Sequence, residues 1–178
     1  FMLQDFSENL RVIKDINDLK DTEELVAFRI GIEPIYDEDD EFSIPSNTTN
    51  SMIQDKNGNI WIGTEKGICK YLGGNKFYSY QNKSYDENSL INNSVHSLME
   101  DSNGLIWVGT YTGISLFDPN NKIIHYKSDP LDQNSLSDNV IHGVYEDIDG
   151  NLWVGTRNRG LNIIDRKEDK YKTIYGGE

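Results

Sequence analysis

The chain has 178 residues, the length of one domain or at most two. Seventeen Lys and Arg against 30 Asp and Glu give a net charge of −13, and without a basic cluster a nucleic-acid-binding surface is excluded. Apolar residues are only 36%, but an aromatic share of 11% argues against disorder, and no apolar run is long enough to enter a membrane.

Residues 1–45 lack the tryptophan motif that recurs later in the chain. Residues 31–37 read GIEPIYD and resemble, with one residue inserted, the segment that follows the later tryptophans. We therefore interpret residues 1–45 as a degenerate first blade or a flanking segment. Residues 25–28 are its predicted second strand and residues 41–44 its predicted fourth, while residues 17–25 could instead form a helical turn or two.

A 46-residue repeat follows, over residues 46–92, 93–138 and 139–178. In each copy a tryptophan stands two residues before a glycine, and an Asp-x-x-Gly turn precedes the tryptophan. A period of 40–50 residues with aromatic and glycine marks is typical of a propeller or another repeat array. The repeated marks are Trp61, Trp107, Trp153, Gly63, Gly109 and Gly155.

The second copy shows the strand pattern most clearly. An alternating segment, Val95–Glu100, leads into a tight turn, and three short apolar runs follow at residues 105–110, 114–117 and 123–126. Four short antiparallel strands make one propeller blade. The sequence therefore predicts an all-β propeller segment of about four blades. Such a segment would be part of a longer propeller, close as a four-bladed ring, or be completed by a second chain.

Each tryptophan shares a strand face with its glycine, because side chains alternate along a strand. Ile106, Val108 and Thr110 form the opposite face of the second copy. A strand that is apolar on both faces must be covered on both, as happens when blades stack. We therefore interpret the tryptophans and glycines as structural core, with the glycine making room for a side chain of the adjoining blade.

Residues 88–118 read NSLINNSVHSLMEDSNGLIWVGTYTGISLFD, and the same frame returns over residues 134–165. This unit resembles the two-component regulator propeller repeat, although the first copy has SNTTN at residues 46–50 in place of N-S-L. The resemblance implies the extracytoplasmic sensor region of a bacterial histidine kinase, hybrid regulator or related receptor. In the best-known group of these receptors the cue is often a glycan fragment.

The turns between second and third strands differ in sequence among the three copies, whereas the repeated tryptophans and glycines do not. These turns are therefore free to carry residues that recognise a ligand. In a propeller they share one face with the connections between blades. Tyr111, Arg157 and Arg159 in these turns suit a sugar or a carboxylate, with an aromatic platform and guanidinium groups. The alternative is that they are tolerated surface residues.

His96 and His142 are 46 residues apart, on successive innermost strands, with Asn50 at the same place in the first copy. Two imidazoles near the channel could bind a ligand, a metal or a proton. Two ligands are too few for a tight metal site, and the repeat explains their spacing. Because Cys69 is the only cysteine and the Asp147–Asp149 turn lacks the calcium-loop pattern, no metal or cofactor is expected.

The prediction for function is a non-catalytic, extracytoplasmic sensory module of a bacterial signalling receptor. Its expected partners are a small-molecule or glycan ligand and further propeller blades or a second chain. One alternative is a protein-interaction scaffold, for which Leu90, Ile91 and Leu136 in the connecting loops would be hot spots. A propeller-type lyase is the other, with His142 near Glu146 as its only candidate pair.

Overall fold

A computed structural model describes residues 36–73, 76–117, 122–168 and 170–175. These residues form strands and no helix, so none of them makes a helix that could span a membrane. The all-β prediction is confirmed. The strands are β1 Thr49–Gln54, β2 Ile60–Thr64, β3 Gly67–Gly73, β4 Lys76–Tyr80, β5 Val95–Glu100, β6 Ile106–Thr110, β7 Gly113–Phe117, β8 Ile123–Tyr126, β9 Ile141–Glu146, β10 Leu152–Thr156, β11 Leu161–Asp165 and β12 Lys170–Ile174.

The strands form three four-stranded sheets, and every pairing is antiparallel between strands consecutive in sequence. The sheets are β1 to β4, β5 to β8 and β9 to β12, which we call the first, second and third blades. The first strand of each blade packs against the first strand of the next, β1 on β5 and β5 on β9. The described residues are therefore three consecutive blades of a partial propeller.

The predicted fourth strand at residues 41–44 is wrong. The chain turns there, because side chains bind several of its backbone groups, although the Phe42 carbonyl accepts the amide of Phe77 on β4 at 2.7 Å. The Asp40 carboxylate accepts the amide of Phe42 at 2.9 Å, and the Ser43 hydroxyl donates to the Asp37 carbonyl at 2.7 Å. The remaining predictions for the N-terminal segment fall at residues 1–35, outside the described residues.

The connections that lead into each blade are pinned by one aliphatic side chain. Ile44, Leu90 and Leu136 stand 46 residues apart and are 0%, 0% and 2% exposed. Leu90 packs between the first and second blades, and Leu136 packs between the second and third. Leu90 and Leu136 are therefore core and not the exposed hot spots of the scaffold alternative, whereas Ile91, its third loop residue, is half-buried.

The two faces of β6 meet different blades. Trp107 packs with residues of the third blade such as Leu152 and Val154, whereas Ile106 and Val108 pack with the first blade. The repeated glycine allows this close stacking. A Cβ atom at Gly63 would lie 2.7 Å from Val95 of the second blade, and a Cβ at Gly109 would lie 2.7 Å from Ile141 of the third.

Each tryptophan is also held by the aspartate six residues before it. The indole Nε1 donates to the second carboxylate oxygen of the aspartate, and the first oxygen accepts two amides of the tight turn. The turn and the core aromatic of each blade are thus a single hydrogen-bonded unit. The pairs are Asp55–Trp61 at 2.9 Å, Asp101–Trp107 at 3.0 Å and Asp147–Trp153 at 2.8 Å.

Candidate functional site

The turns between second and third strands are closed by the same hydrogen bond in all three blades. In each blade the threonine that ends the second strand donates its hydroxyl hydrogen to the carbonyl of a glycine across the turn, at 2.8 Å. That glycine has a positive φ of 120°, 135° or 72°, which a residue with a Cβ rarely adopts. The pairs are Thr64–Gly67, Thr110–Gly113 and Thr156–Gly160.

The residue after each of these threonines occupies an equivalent place on the rim of the propeller. Its amide donates to a carbonyl of the connection that precedes the blade. The backbone is therefore fixed at this position, while the side chain is exposed. The three residues are Glu65, Tyr111 and Arg157, whose amides bind Thr48, Ser94 and Val140 at 3.3, 3.1 and 2.9 Å.

The two histidines lie at β-bulges in the first strands of their blades. The register of β5 with β6 skips His96, and that of β9 with β10 skips His142. A bulge redirects the side chain of its extra residue, and bulges are common beside functional sites. Asn50 occupies the corresponding bulge of β1, but its amide donates to the Val95 carbonyl at 2.9 Å and so ties the first blade to the second.

Bulges and turns bring five side chains together, which we call the rim cluster: Glu65, His96, Tyr111, His142 and Arg157. The ring centroids of His96 and His142 are 5.7 Å apart, and those of His96 and Tyr111 are 6.0 Å apart. An Arg157 nitrogen lies 3.5 Å from the Tyr111 hydroxyl. His96 is half-buried and the other four side chains are exposed, so the cluster is open to a ligand.

The charges of the rim cluster act on His96. Burial lowers the pKa of His96, and the neighbouring His142 and Arg157 lower it further, while Glu65 opposes them. His96 is therefore more often neutral near pH 7 than an ordinary histidine. A neutral imidazole beside a guanidinium and a carboxylate offers donors and acceptors together.

Four residues of the rim cluster are predicted from the sequence as ligand-binding, whereas Glu65 is not. The 46-residue period does indicate it, because Glu65 is 46 residues before Tyr111 in the same turn position. Arg159, the fifth predicted residue, is exposed, and its backbone carbonyl accepts from the Ser137 hydroxyl at 2.9 Å. Within the described part of the chain, no contact joins its guanidinium to the rim cluster.

His142 and Glu146, the candidate pair for a lyase, lie at opposite ends of β9, about 13 Å apart at 3.3 Å per residue. The Glu146 carboxylate is engaged elsewhere, since it accepts from the Ser102 hydroxyl at 2.8 Å and from Arg166. The two groups therefore do not form an acid–base pair.

No group of three or more His, Cys, Asp or Glu side chains within the described ranges is placed to hold a metal ion. The Asp147 carboxylate, at the turn considered for calcium, accepts hydrogen bonds from its own turn and from Trp153. Cys69 is buried, and burial raises the pKa of its thiol to about 12.

The two-component regulator propeller family matches residues 43–66, 89–112 and 135–158. The extracellular domain of a hybrid two-component system from B. thetaiotaomicron is similar over 73% of this chain, with 26% identity and a TM-score of 0.68. This chain spans 18% of that domain. No curated protein matches the sequence significantly.

Two further structures share the fold at lower identity. Virginiamycin B lyase from Staphylococcus aureus is 19% identical with a TM-score of 0.52, over 74% of this chain and 42% of the lyase. PorZ, a surface component of the type-IX secretion system of Porphyromonas gingivalis, is 17% identical with a TM-score of 0.51, over 68% of this chain and 22% of PorZ. A lyase and a secretion component on one architecture show that the fold alone does not fix an activity. Each match to the two-component regulator propeller family covers the first two strands of one blade, so the family matches, the 46-residue period and the sheet order agree.

Proposed function

We propose that the chain is a non-catalytic sensory module in the extracytoplasmic region of a bacterial signal-transduction receptor. The repeat family and the similarity to the extracellular domain of a hybrid two-component system support this role. The distance between His142 and Glu146 on β9 supports a binding role over catalysis.

The proposed ligand site is the rim cluster, and the carrying observation is the convergence of side chains from three blades on one rim. Tyr111 offers an aromatic face 6.0 Å from the His96 ring, and Arg157 offers a guanidinium to a carboxylate. This combination suits a carbohydrate or cell-envelope fragment that carries a carboxyl group. A ligand bridging Tyr111 and Arg157 would favour one packing of the second blade against the third, and that bias could be passed to an output domain.

The experiment is a screen of neutral and carboxylated oligosaccharides, followed by titration calorimetry of every compound that binds. We expect saturable binding with one site per chain. Tyr111→Ala and Arg157→Ala should each weaken it by roughly tenfold, as loss of a central contact does. Tyr85→Ala is the matched control, because Tyr85 is 86% exposed and lies outside the rim cluster. A screen without binding, or equal affinities for all variants, contradicts the proposal.

We further propose that a blade of the same repeat covers the outer face of the third blade. In the first two blades the equivalent face is filled by Val95 or Ile141 of the next blade. At Gly155 the nearest atoms to an added Cβ are those of Gly143 in the same blade, at 3.9 Å, and nearby Tyr145 is 67% exposed. The face is thus apolar, recessed at the glycine and open.

Hydrogen exchange tests this second proposal. In the 178-residue chain the amides of β10 to β12 should exchange faster than the equivalent amides of β6 to β8, because only the latter are covered on both faces. Adding a copy of residues 93–138 after the third blade should slow exchange in β10 to β12. Exchange that stays the same with the added copy refutes the proposal.

A further inference from the structure

The same hydrogen bond joins neighbouring blades at both interfaces of the structure. In the turn between β1 and β2, the Lys56 amide donates to the Glu100 carboxylate of the second blade at 2.8 Å. In the turn between β5 and β6, the Ser102 amide donates to the Glu146 carboxylate of the third blade at 2.5 Å. Each glutamate is the last residue of the first strand of its blade. We call this contact the turn bond.

The third blade has the same turn, but its amide has no acceptor among the described residues. Ile148 stands 46 residues after Ser102 and is 100% exposed. The amides of Asp149 and Asn151 in this turn donate to the Asp147 carboxylate at 3.0 and 2.9 Å, whereas that of Ile148 donates to no other described residue. The turn is therefore closed as in the other blades, and the donor of a further turn bond is open to a partner.

The outer face of the third blade also repeats the apolar positions that the other blades bury. The residue of the first strand that pairs with the tryptophan is Ile53, Met99 or Tyr145. Ile53 and Met99 pack in the interface with the following blade, whereas Tyr145 is 67% exposed. Trp107 is 2% exposed, but Trp153 is only half-buried. The open face is thus the continuation of two interfaces that the structure already contains.

The first blade does not have the features of a cover, which argues against a second copy of the chain as the partner. Gln54 stands where Glu100 and Glu146 end the first strands of the other blades. A neutral amide oxygen accepts a hydrogen bond more weakly than a carboxylate does. Ile60 and Ile62, on the face of β2 that would contact a preceding blade, are already buried, at 4% and 1% exposure. That face is therefore not free to pack on the third blade of another molecule.

We propose that the outer face of the third blade binds a following blade of the same repeat through a glutamate that ends the first strand of that blade. The carboxylate of this glutamate accepts the Ile148 amide and so repeats the turn bond of the two interfaces. The following blade joins β12 as the second blade joins β4. The proposed bond rests on the proposed function of this face, contact with a covering blade, and it names the group that the face recognises.

Amide hydrogen exchange of the 178-residue chain tests the turn bond itself. After correction for intrinsic rates, the Lys56 and Ser102 amides should exchange at least about tenfold more slowly than the Ile148 amide, as a hydrogen bond to a charged group provides. Glu100→Ala should bring the Lys56 amide to the rate of Ile148 and leave Ser102 unchanged. Equal protection of the three amides, or a Lys56 rate that Glu100→Ala does not change, overturns the proposal.

An added blade tests the partner. A copy of residues 81–126 joined after Ile174 supplies a connection and a first strand that ends in a glutamate, the copy of Glu100. The matched control is a copy of residues 35–80, which has the same length and supplies Gln54 at that place. The first copy should slow exchange of the Ile148 amide at least about tenfold, and the second should slow it less. Equal effects of the two copies overturn the assignment of the glutamate.

The amides of β10 to β12 separate the turn bond from the covering blade on which it rests. If the copy of residues 81–126 slows exchange in β10 to β12 but not at Ile148, a blade covers the face and the turn bond is refuted. If it slows neither, the covering blade is refuted and the turn bond with it. Light scattering of the 178-residue chain should give a monomer, and a dimer in which the Ile148 amide is protected would make a second copy the cover and overturn the proposal.

Discussion

At the scale of single residues, the aspartate before each tryptophan has two roles, since it closes a tight turn and also binds the core indole. The Asp-x-x-Gly pattern predicts a turn, and the structure contains it. The bond from the same carboxylate to an indole six residues later joins that turn to the core. Local turn chemistry cannot predict this contact, because it depends on where a strand face points after the turn.

Asp101 has partners in two blades. One of its oxygens accepts from Trp107 at 3.0 Å and from Arg166 of the third blade at 2.5 Å. Asp101→Asn puts an amide where an oxygen accepts two donors, and we expect a loss of about 2–3 kcal/mol in the free energy of unfolding. The corresponding oxygen of Asp55 accepts from Trp61 and from the Asn59 side chain, both within the first blade, so Asp55→Asn should cost less. Urea unfolding measures both, and equal losses would show that the bond from Arg166 contributes no more than the bond from Asn59.

The aspartates that bind the tryptophans should also make the stability of the chain sensitive to acid. Hydrogen bonds from Trp153 and Asn151 lower the pKa of Asp147 to about 2, from an ordinary 3.8. Because the folded state holds the proton less tightly, the carboxylate adds stability that is complete above about pH 4 and disappears as the pH falls towards 2. Asp147→Asn should therefore flatten the plot of unfolding free energy against pH between 4 and 2. A slope equal to that of the parent chain would show that Asp147 is not involved.

At the scale of strands and turns, the 46-residue period predicts the three blades and most of their strands. Val95–Glu100 and Ile123–Tyr126 are strands with the bounds that alternation and apolar runs predict. The failure at residues 41–44 has a local cause, since Asp and Ser side chains there bind the backbone. Ile44 stands 46 residues before Leu90 and is buried like it, so this segment is the connection that leads into the first blade.

The rim cluster could be predicted only in part for a related reason. Spacing indicated that His96 and His142 are equivalent and that Tyr111 and Arg157 are equivalent. It could not indicate that bulges would turn the histidines towards those turns, because a bulge appears only when two strands are aligned.

The stacking role of the glycines gives a matched pair of substitutions. Gly109→Ala places a methyl group 2.7 Å from Ile141 and also against Ser97, and such overpacking costs about 1–3 kcal/mol. Gly155→Ala meets nothing closer than 3.9 Å, so the free energy of unfolding should change by less than about 0.5 kcal/mol. Chemical denaturation of the two variants checks the difference. Similar losses would show that the two glycines do not differ in their contact with a following blade.

At the scale of the whole molecule, the described residues form three blades that pack first strand against first strand. The rim cluster lies on the side of the turns between second and third strands, and its residues come from all three blades. If the proposed ligand binds there, it contacts neighbouring blades at once, and its affinity depends on how they pack.

Histidine NMR tests the central claim, ligand binding at the rim cluster, most directly. The ring signals of His96 and His142 are followed through a pH titration, with and without an oligosaccharide that binds in the screen. We predict that both rings shift with ligand saturation. Burial and the neighbouring His142 and Arg157 hold the pKa of His96 below its ordinary value, and a bound carboxylate should raise it. Saturable binding that leaves both ring signals and the pKa of His96 unchanged would contradict the account.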